Sequence, residues 1–372
     1  MSKAAELAAL IGSQTALSNR NFVINGAMQI SQRATSVTGI GTTDTSGTYH
    51  TLDRFVVLAN NTAGRLTMSQ STVTDLPGFA NALKLDCTTA DTSIAADEYF
   101  LFATRLEAQN LQSLKKGTSS AEPVTVSFYV KGNANATYVL EIFDNDNSRT
   151  INKTFSVTSS WNRVSITFPG DTGGSGLGDD TDIGLQLVFW LHAGSNSTSG
   201  SLQTSWGAYT QANRAVGISS IVDSTDRTLE ITGLQMEIGE VATAFEHEDF
   251  GTTLYKCQRY FENLTFANAT VITIGQVYSS ATDAAGDLRY NVQKRDTPTI
   301  GVPSVGRSSG NINFLNNNAG FVATSDGTVT AVYISIDSCM LFGDNYNAFG
   351  AAGDASWLYS YGTNTFTIDA EL

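Results

Sequence analysis

The stretch VTVSFYV, residues 124–130, decides the class of fold. Val124, Val126, Phe128 and Val130 fall on one side of an extended chain and Thr125 and Ser127 on the other, because successive side chains of a strand point to opposite faces. The same period of two returns outward from it in YVLEIF (138–143), RVSITF (163–168), IGLQLVFW (183–190) and LEITGLQMEI (229–238). Turn-forming stretches such as DNDNS (144–148) and PGDTGGSGLGDD (169–180) separate these strands. Many short strands with long polar connections predict a β-sandwich of jelly-roll type. A second β series follows in ATVITIGQVYS (269–279), TVTAVYISI (328–336) and TFTIDAEL (365–372), interrupted by VGRSSGNINFLNNNAG (305–320). No repeat of fixed period runs through the chain, which argues against a solenoid.

Two stretches read as helix. Residues 3–12 set Leu7, Leu10 and Ile11 at helical spacing before Gly12, too short a helix to be stable without a partner surface. Residues 252–263 place Leu254, Cys257, Gln258 and Phe261 on one face, with Asp249 and Thr252 as candidate caps. The expected fold is therefore mostly β: a short N-terminal helix, a jelly-roll sandwich, a linker helix and a smaller C-terminal β domain. Its parts are residues 1–20, 21–249, 250–263 and 264–372. At 372 residues the chain is long enough for more than one core.

Composition narrows the function. The net charge of -14 is spread along the chain, which opposes binding to a phosphate backbone, so no nucleic-acid partner is expected. No apolar run approaches the about 20 residues of a membrane span, so no membrane insertion is expected, and the first residues lack the pattern of a secretory signal. Cys87, Cys257 and Cys339 are too few and too widely spaced for a disulfide framework or a zinc knuckle, and read as buried free thiols. His50, His192 and His247 are the only histidines, and no Gly-x-Ser-x-Gly or His-Glu-x-x-His motif occurs. Acidic pairs, Glu237 with Glu240 or Asp179 with Asp182, could flank a glycosidic bond, but sequence gives no separation for them. Residues 144–148 begin like a calcium loop yet place Arg149 and Phe155 where glycine and glutamate are needed, so a hairpin with Asx turns is expected. Asp179, Asp180 and Asp182 form a loose calcium candidate, and neither segment commits to a metal. No cofactor is implied.

Two segments resemble the tail-fibre and minor structural proteins of tailed bacteriophages. The first is NFVINGAMQISQR (21–33), followed by LDRF (52–55), similar to an Asn-x-x-x-Asn-Gly-x-Met-x-Ile-x-Gln-Arg run with a Tyr-x-x-Asp-Arg-Trp phrase; His50, Thr51 and Phe55 depart from the latter's pattern. The second is LEITGLQMEIGEVATAFEHEDFGTTLYKCQRYFE (229–262), with SWGAYTQANRA (205–215) and KRDTPTIGV (294–302) as further phrases. The resemblance implies a sandwich like that of carbohydrate-binding modules over about residues 21–249, a virion location after assembly in the host cytoplasm, a homotrimer, and a neighbouring virion protein gripped through Leu7, Leu10 and Ile11. Read from the residues alone, Gly26 and Gly233 mark bulges or close backbone approaches, and Ile24, Met28 and Ile30 form an alternating inward face.

Aromatic residues are the candidate ligand contacts. Trp206 and Tyr209 would stack on a sugar or else fill an interior; Tyr346, Trp357 and Tyr359, with Tyr361, would form a recognition surface or else the apolar core of a trimer. The function these features suggest is a virion fibre or spike subunit that binds a host surface polysaccharide or receptor without catalysis. A polysaccharide depolymerase and a purely architectural head fibre or connector are the rival readings.

Overall fold

A computed structural model describes residues 19–277, 282–306, 308–316, 327–344, 346 and 351–372. Leu7, Leu10 and Ile11 lie outside the described residues. The chain divides into two compact units, one extending to Leu254 and one covering Tyr255–Glu371.

The first unit contains β1 (Ser36–Ile40), β2 (Asp44–Thr48), β3 (Val56–Asn60), β4 (Arg65–Thr72), β5 (Asn81–Thr89), β6 (Tyr99–Glu107), β7 (Val124–Gly132), β8 (Ala136–Asp144), β9 (Arg149–Val157), β10 (Asn162–Phe168) and β11 (Ile183–Ala193). A short helix α1 (Ser195–Thr198), β12 (Gly207–Ala208) and β13 (Thr228–Ile238) complete it. Six strands form one antiparallel sheet in the order β1-β4-β5-β13-β7-β10, and seven form the other, β12-β9-β8-β11-β6-β3-β2. The stretch 124–130 lies in β7, with Val124, Val126, Phe128 and Val130 in the core between the sheets. Phe102 and Phe189 stack there at 4.5 Å, and Phe128 meets Phe189 edge-on at 5.3 Å.

Thr125 and Ser127 point away from this core and are buried nonetheless. The segment after β13 roofs that face: Thr125 Oγ1 donates to the Gly239 carbonyl (2.8 Å), and Thr167 Oγ1 to the Glu240 carbonyl (2.9 Å). The seven-stranded sheet is covered on its outer face too. Val188 and Trp190 of β11 join Val56, Leu101, Val139 and Ala215 in a second apolar cluster, so IGLQLVFW, expected to alternate, is instead buried on both faces.

Residues 21–33 depart from the expectation of an alternating strand. They form a turn in which Asn25 and Met28 take positive φ (62° and 57°), with Met28 and Ile30 buried and Ile24 half-exposed. Hydrogen bonds to the closing strand hold the turn. Phe22 N–H donates to the Met236 carbonyl (3.0 Å), Met236 N–H to Asn21 Oδ1 (3.0 Å), Asn21 Nδ2 to the Leu234 carbonyl (3.1 Å), and Leu234 N–H to the Gly26 carbonyl (2.9 Å). Gly26 permits this approach, because a Cβ there would lie 2.1 Å from the Leu234 oxygen. Gly233, at φ +63°, sits where the β13–β7 register shifts, so both glycines answer to bulge and close approach as expected.

In the second unit, helix α2 (Phe250–Gln258) straddles the division; Asp249 caps it by accepting the Thr252 N–H at 3.0 Å. The helix ends earlier than the sequence pattern suggests. Phe261 opens β14 (Phe261–Phe266), which pairs with Asn364–Asp369, and Leu264 and Phe266 share the face that enters the core. The unit continues with β15 (Thr270–Val277), β16 (Ala284–Arg289), β17 (Thr299–Gly301), β18 (Asn311–Asn316), β19 (Thr328–Val332), β20 (Ser338–Asp344), β21 (Ala355–Tyr361) and β22 (Asn364–Asp369). Sheets of order β14-β22-β17 and β18-β21-β15-β16-β20-β19 share a core that includes Leu288, Phe314, Leu341, Leu358 and Phe366. Strand β18 lies inside the polar stretch that sequence alone marks as an interruption. Lys294 and Glu262 form a fully buried pair at 2.6 Å. All three cysteines are free and buried, as expected.

Gly26→Ala forces a methyl group against a backbone carbonyl and should cost about 1 to 3 kcal/mol in the first unit, as overpacking does. Urea unfolding followed by tryptophan fluorescence measures this, and an unchanged midpoint contradicts the close approach.

Candidate functional site

Trp206 and Tyr209 flank β12 but do not share a platform. Trp206 packs against the sandwich core, donates through Nε1 to the Pro169 carbonyl (2.7 Å), and has the Lys116 ammonium 5.8 Å from its ring. Lys116 is itself buried against Asp144 and Asp171, and Arg149 grips Asp171 at 2.8 Å. Trp206 is therefore tied into a structural charge network.

Tyr209 packs edge-on against Phe143 (5.8 Å), and the Arg214 guanidinium lies 5.0 Å from its ring. The same guanidinium sits 4.6 Å over Trp190 and 5.3 Å from Phe143, and pairs with Glu141 at 2.8 Å. Glu141 is fully buried; Trp190 Nε1 (2.6 Å) and Thr150 Oγ1 (2.6 Å) also donate to it. Burial works against the charge on Arg214, and the Glu141 carboxylate more than offsets this, holding its pKa above the ordinary value. The connection between β11 and β13 thus fills the aromatic face of the seven-stranded sheet with the chain's own arginine.

The C-terminal aromatics fall differently. Tyr346 is 0% exposed and packs edge-on against Phe314 at 6.2 Å. Burial raises its hydroxyl pKa to about 12. It is a core residue, which corrects its reading as a ligand contact: the ring faces inward among Phe314 and the facing glycine Gly343. Trp357, Tyr359 and Tyr361 share the outer face of β21, since Ser356, Leu358 and Ser360 between them are buried. All three are half-exposed, and Tyr359 and Tyr361 meet at 5.1 Å. Register places Ile274 beside Trp357 and Val271 beside Tyr359, and Ile274 is 77% exposed. From Trp357 to Tyr361 the row spans about 13 Å at the rise of a strand.

An open groove of ≈ 810 Å³ borders this sheet between β14 and the β15–β16 pair. Thr265, Phe266, Ile272, Asp287, Arg289 and Asn291 are among its lining residues, and Arg289 pairs with Asp287 at 3.0 Å. Sequence reading gives no signal for it, because these residues carry no motif and come together through strand pairing.

The carboxylate candidates resolve into structural roles. Glu237 is buried and accepts from Gln235 Nε2 (2.8 Å), the Thr243 N–H (2.8 Å) and Thr243 Oγ1 (2.7 Å), while Glu240 is exposed. Asp144 accepts the Asn147 N–H at 3.0 Å in the expected Asx turn of the β8–β9 hairpin. Asp180 accepts the Asp182 N–H at 3.1 Å in an exposed loop. A set that sequence reading missed, Asp91, Glu98 and His192, is buried together. Its members are 101 positions apart at the extremes, so spacing offered nothing to find.

No protein-family model and no curated protein matches the chain. Among solved structures, similar chains include a family 4 carbohydrate-binding module (12% identity, TM-score 0.29, covering 58% of this chain and 98% of that one). Another is the family 11 module from Clostridium thermocellum in complex with a β-1,3-1,4-mixed-linked tetrasaccharide (13%, TM-score 0.27, 56% and 99%). A family 61 module in complex with β-1,4-galactotriose is a third (10%, TM-score 0.28, 59% and 100%). Similarity at this level transfers no property of those modules to this chain.

Arg214→Ala leaves Glu141 buried without its cation and should destabilise the first unit by roughly 3 to 5 kcal/mol. Equilibrium unfolding in urea checks this, and a loss under about 1 kcal/mol, the scale of a surface pair, contradicts the lock described here.

Proposed function

We propose that the chain is a non-catalytic, glycan-binding structural subunit of a tailed-phage particle, and that it recognises sugar through the aromatic row of β21. The observation that carries the recognition is the half-exposed row of Trp357, Tyr359 and Tyr361 on one sheet face. An aromatic face complements the apolar face of a pyranose, and each stacked ring contributes on the order of 1 to 3 kcal/mol. Asp287 and Arg289 at the edge of the neighbouring groove supply charged partners for sugar hydroxyls. Trp206 and Tyr209 are left out of the site, because one is held by Pro169 and the other by Arg214 and Phe143.

The virion context rests on the resemblance of residues 21–33, 52–55 and 229–262 to phage structural proteins. In this reading the N-terminal segment attaches the subunit to another virion protein, and a homotrimer multiplies weak sites into useful avidity. Ile274 and Val271 beside the row favour a second reading, in which the same face is buried between copies of the chain.

Binding of the purified full chain to a panel of bacterial surface polysaccharides tests the proposal. Trp357→Ala and Tyr359→Ala should each weaken binding at least tenfold with the fold intact and the oligomeric state unchanged. Unchanged binding overturns the glycan site; loss of the oligomer on sedimentation assigns the face to subunit contact; released oligosaccharide establishes a depolymerase. Deleting residues 1–18 should abolish incorporation into particles, and normal incorporation contradicts attachment through that segment.

A further inference from the structure

Asp91 lies in the loop after β5, Glu98 immediately before β6, and His192 next to the end of β11. They are 5%, 6% and 0% exposed, and one ligand atom from each lies within 4.8 Å of the others. Asp91 is held by the Ala63 N–H (2.7 Å), the Ser93 N–H (3.2 Å) and the Thr62 hydroxyl (3.1 Å). Among the described residues the Glu98 carboxylate meets one hydrogen-bonding partner, His192 Nε2 at 3.4 Å. Among the described residues no lysine or arginine pairs with either acid. Asp91 is thus compensated by its three donors, whereas the buried Glu98 carboxylate is left with little to offset its burial, an arrangement that is costly in a low-dielectric interior.

We propose that Asp91, Glu98 and His192 bind one zinc-class divalent cation, which fastens the 90–98 loop to the end of β11. The 3.4 Å separation is too long for a charge-assisted hydrogen bond of about 2.7 to 2.9 Å. It matches two ligands each about 2.0 to 2.2 Å from a tetrahedral metal. Ser220 Oγ lies 2.8 Å from His192 Nδ1 and also accepts the Val222 N–H (3.2 Å). With Nδ1–H donating to that oxygen, the lone pair of Nε2 faces the two acids, the outer-sphere arrangement that orients metal-bound imidazoles. One imidazole and two carboxylates suit zinc or another first-row ion rather than calcium, which takes six or more oxygens. Water completes the coordination. The Ser220–His192–Glu98 series also has the composition of a hydrolytic triad, but the ring is enclosed and the serine oxygen accepts from two donors. This inference is independent of the glycan reading.

The test is zinc titration of the full chain after chelator treatment and dialysis, followed by calorimetry, metal analysis and thermal unfolding. The expected result is one zinc per chain and a higher melting temperature. Glu98→Gln, which keeps the shape of the side chain, should weaken binding at least 100-fold, and Ser220→Ala should weaken it roughly 10- to 100-fold. If Glu98→Gln does not fold, Ser220→Ala alone decides. Absence of saturable zinc binding by the folded wild type, or affinity unchanged in the folded variants, overturns the site.

Discussion

The first unit depends on the clasp between residues 21–26 and the Leu234–Met236 portion of β13. Strand β13 lies in the middle of the six-stranded sheet between β5 and β7, and its end must be capped without adding a further strand. The turn at 21–30 does this with side-chain amides. Asn21 bridges to β13, and Asn25 closes the turn by accepting the Ile30 N–H (2.9 Å) and donating to the Asp53 carbonyl (3.0 Å). Asp53 Oδ1 in turn accepts the Gln32 N–H at 2.9 Å. Glu246 adds a third tie through the backbone N–H groups of Arg20 (2.8 Å) and Asn21 (3.0 Å). The asparagines, glycine, glutamine and aspartate of the two phrases therefore have a structural reason to stand where they do. The side chains of Asn21, Asn25 and Asp53 satisfy backbone groups that burial would otherwise leave unpaired, Gln32 Nε2 donates to the Asp53 carboxylate, and Gly26 admits the Leu234 carbonyl.

Much of the sandwich was legible because one face of each strand enters a common core. The period of two in 124–130, 138–143, 163–168 and 229–238 survives folding as β7, β8, β10 and β13. What was not legible is what lies over the other face. Thr125 and Ser127 look like surface residues until the segment after β13 covers them, and Val188 and Trp190 acquire their second layer from a connection 195–222 with no apolar rhythm of its own. The misreading of 21–33 as a strand has the same origin. Alternating Met28 and Ile30 are inward-facing, yet their spacing arises from positive φ at Asn25 and Met28 rather than from an extended chain. At the end of α2 the helical spacing of Leu254, Cys257 and Phe261 suggested a longer helix, but pairing of Phe261–Phe266 with β22 prevailed.

The candidate site was partly legible for a related reason. Alternation along ASWLYSY correctly separates Trp357, Tyr359 and Tyr361 from Leu358, so a shared aromatic face follows from the sequence once the segment is a strand. Tyr346 precedes that strand in a stretch rich in small and amide residues, where composition suggests a surface and the fold supplies an interior. Trp206 and Tyr209 are close in sequence but engage different partners, Pro169 and Lys116 for one and Phe143 and Arg214 for the other. The buried ionic groups were invisible in advance. Glu141 with Arg214, Glu262 with Lys294, and the acids around His192 are each assembled from distant elements, and only their burial distinguishes them from the chain's other charges.

The central claim is that recognition belongs to the outer face of β21 while the aromatics of the first unit are committed to its own structure. Hydrogen exchange of the full chain, with and without a bound surface polysaccharide, measures this at the level of peptides. The account predicts added protection in peptides covering 270–277 and 355–361 and none in 195–222. Protection confined to 195–222, with 355–361 unchanged, would contradict it.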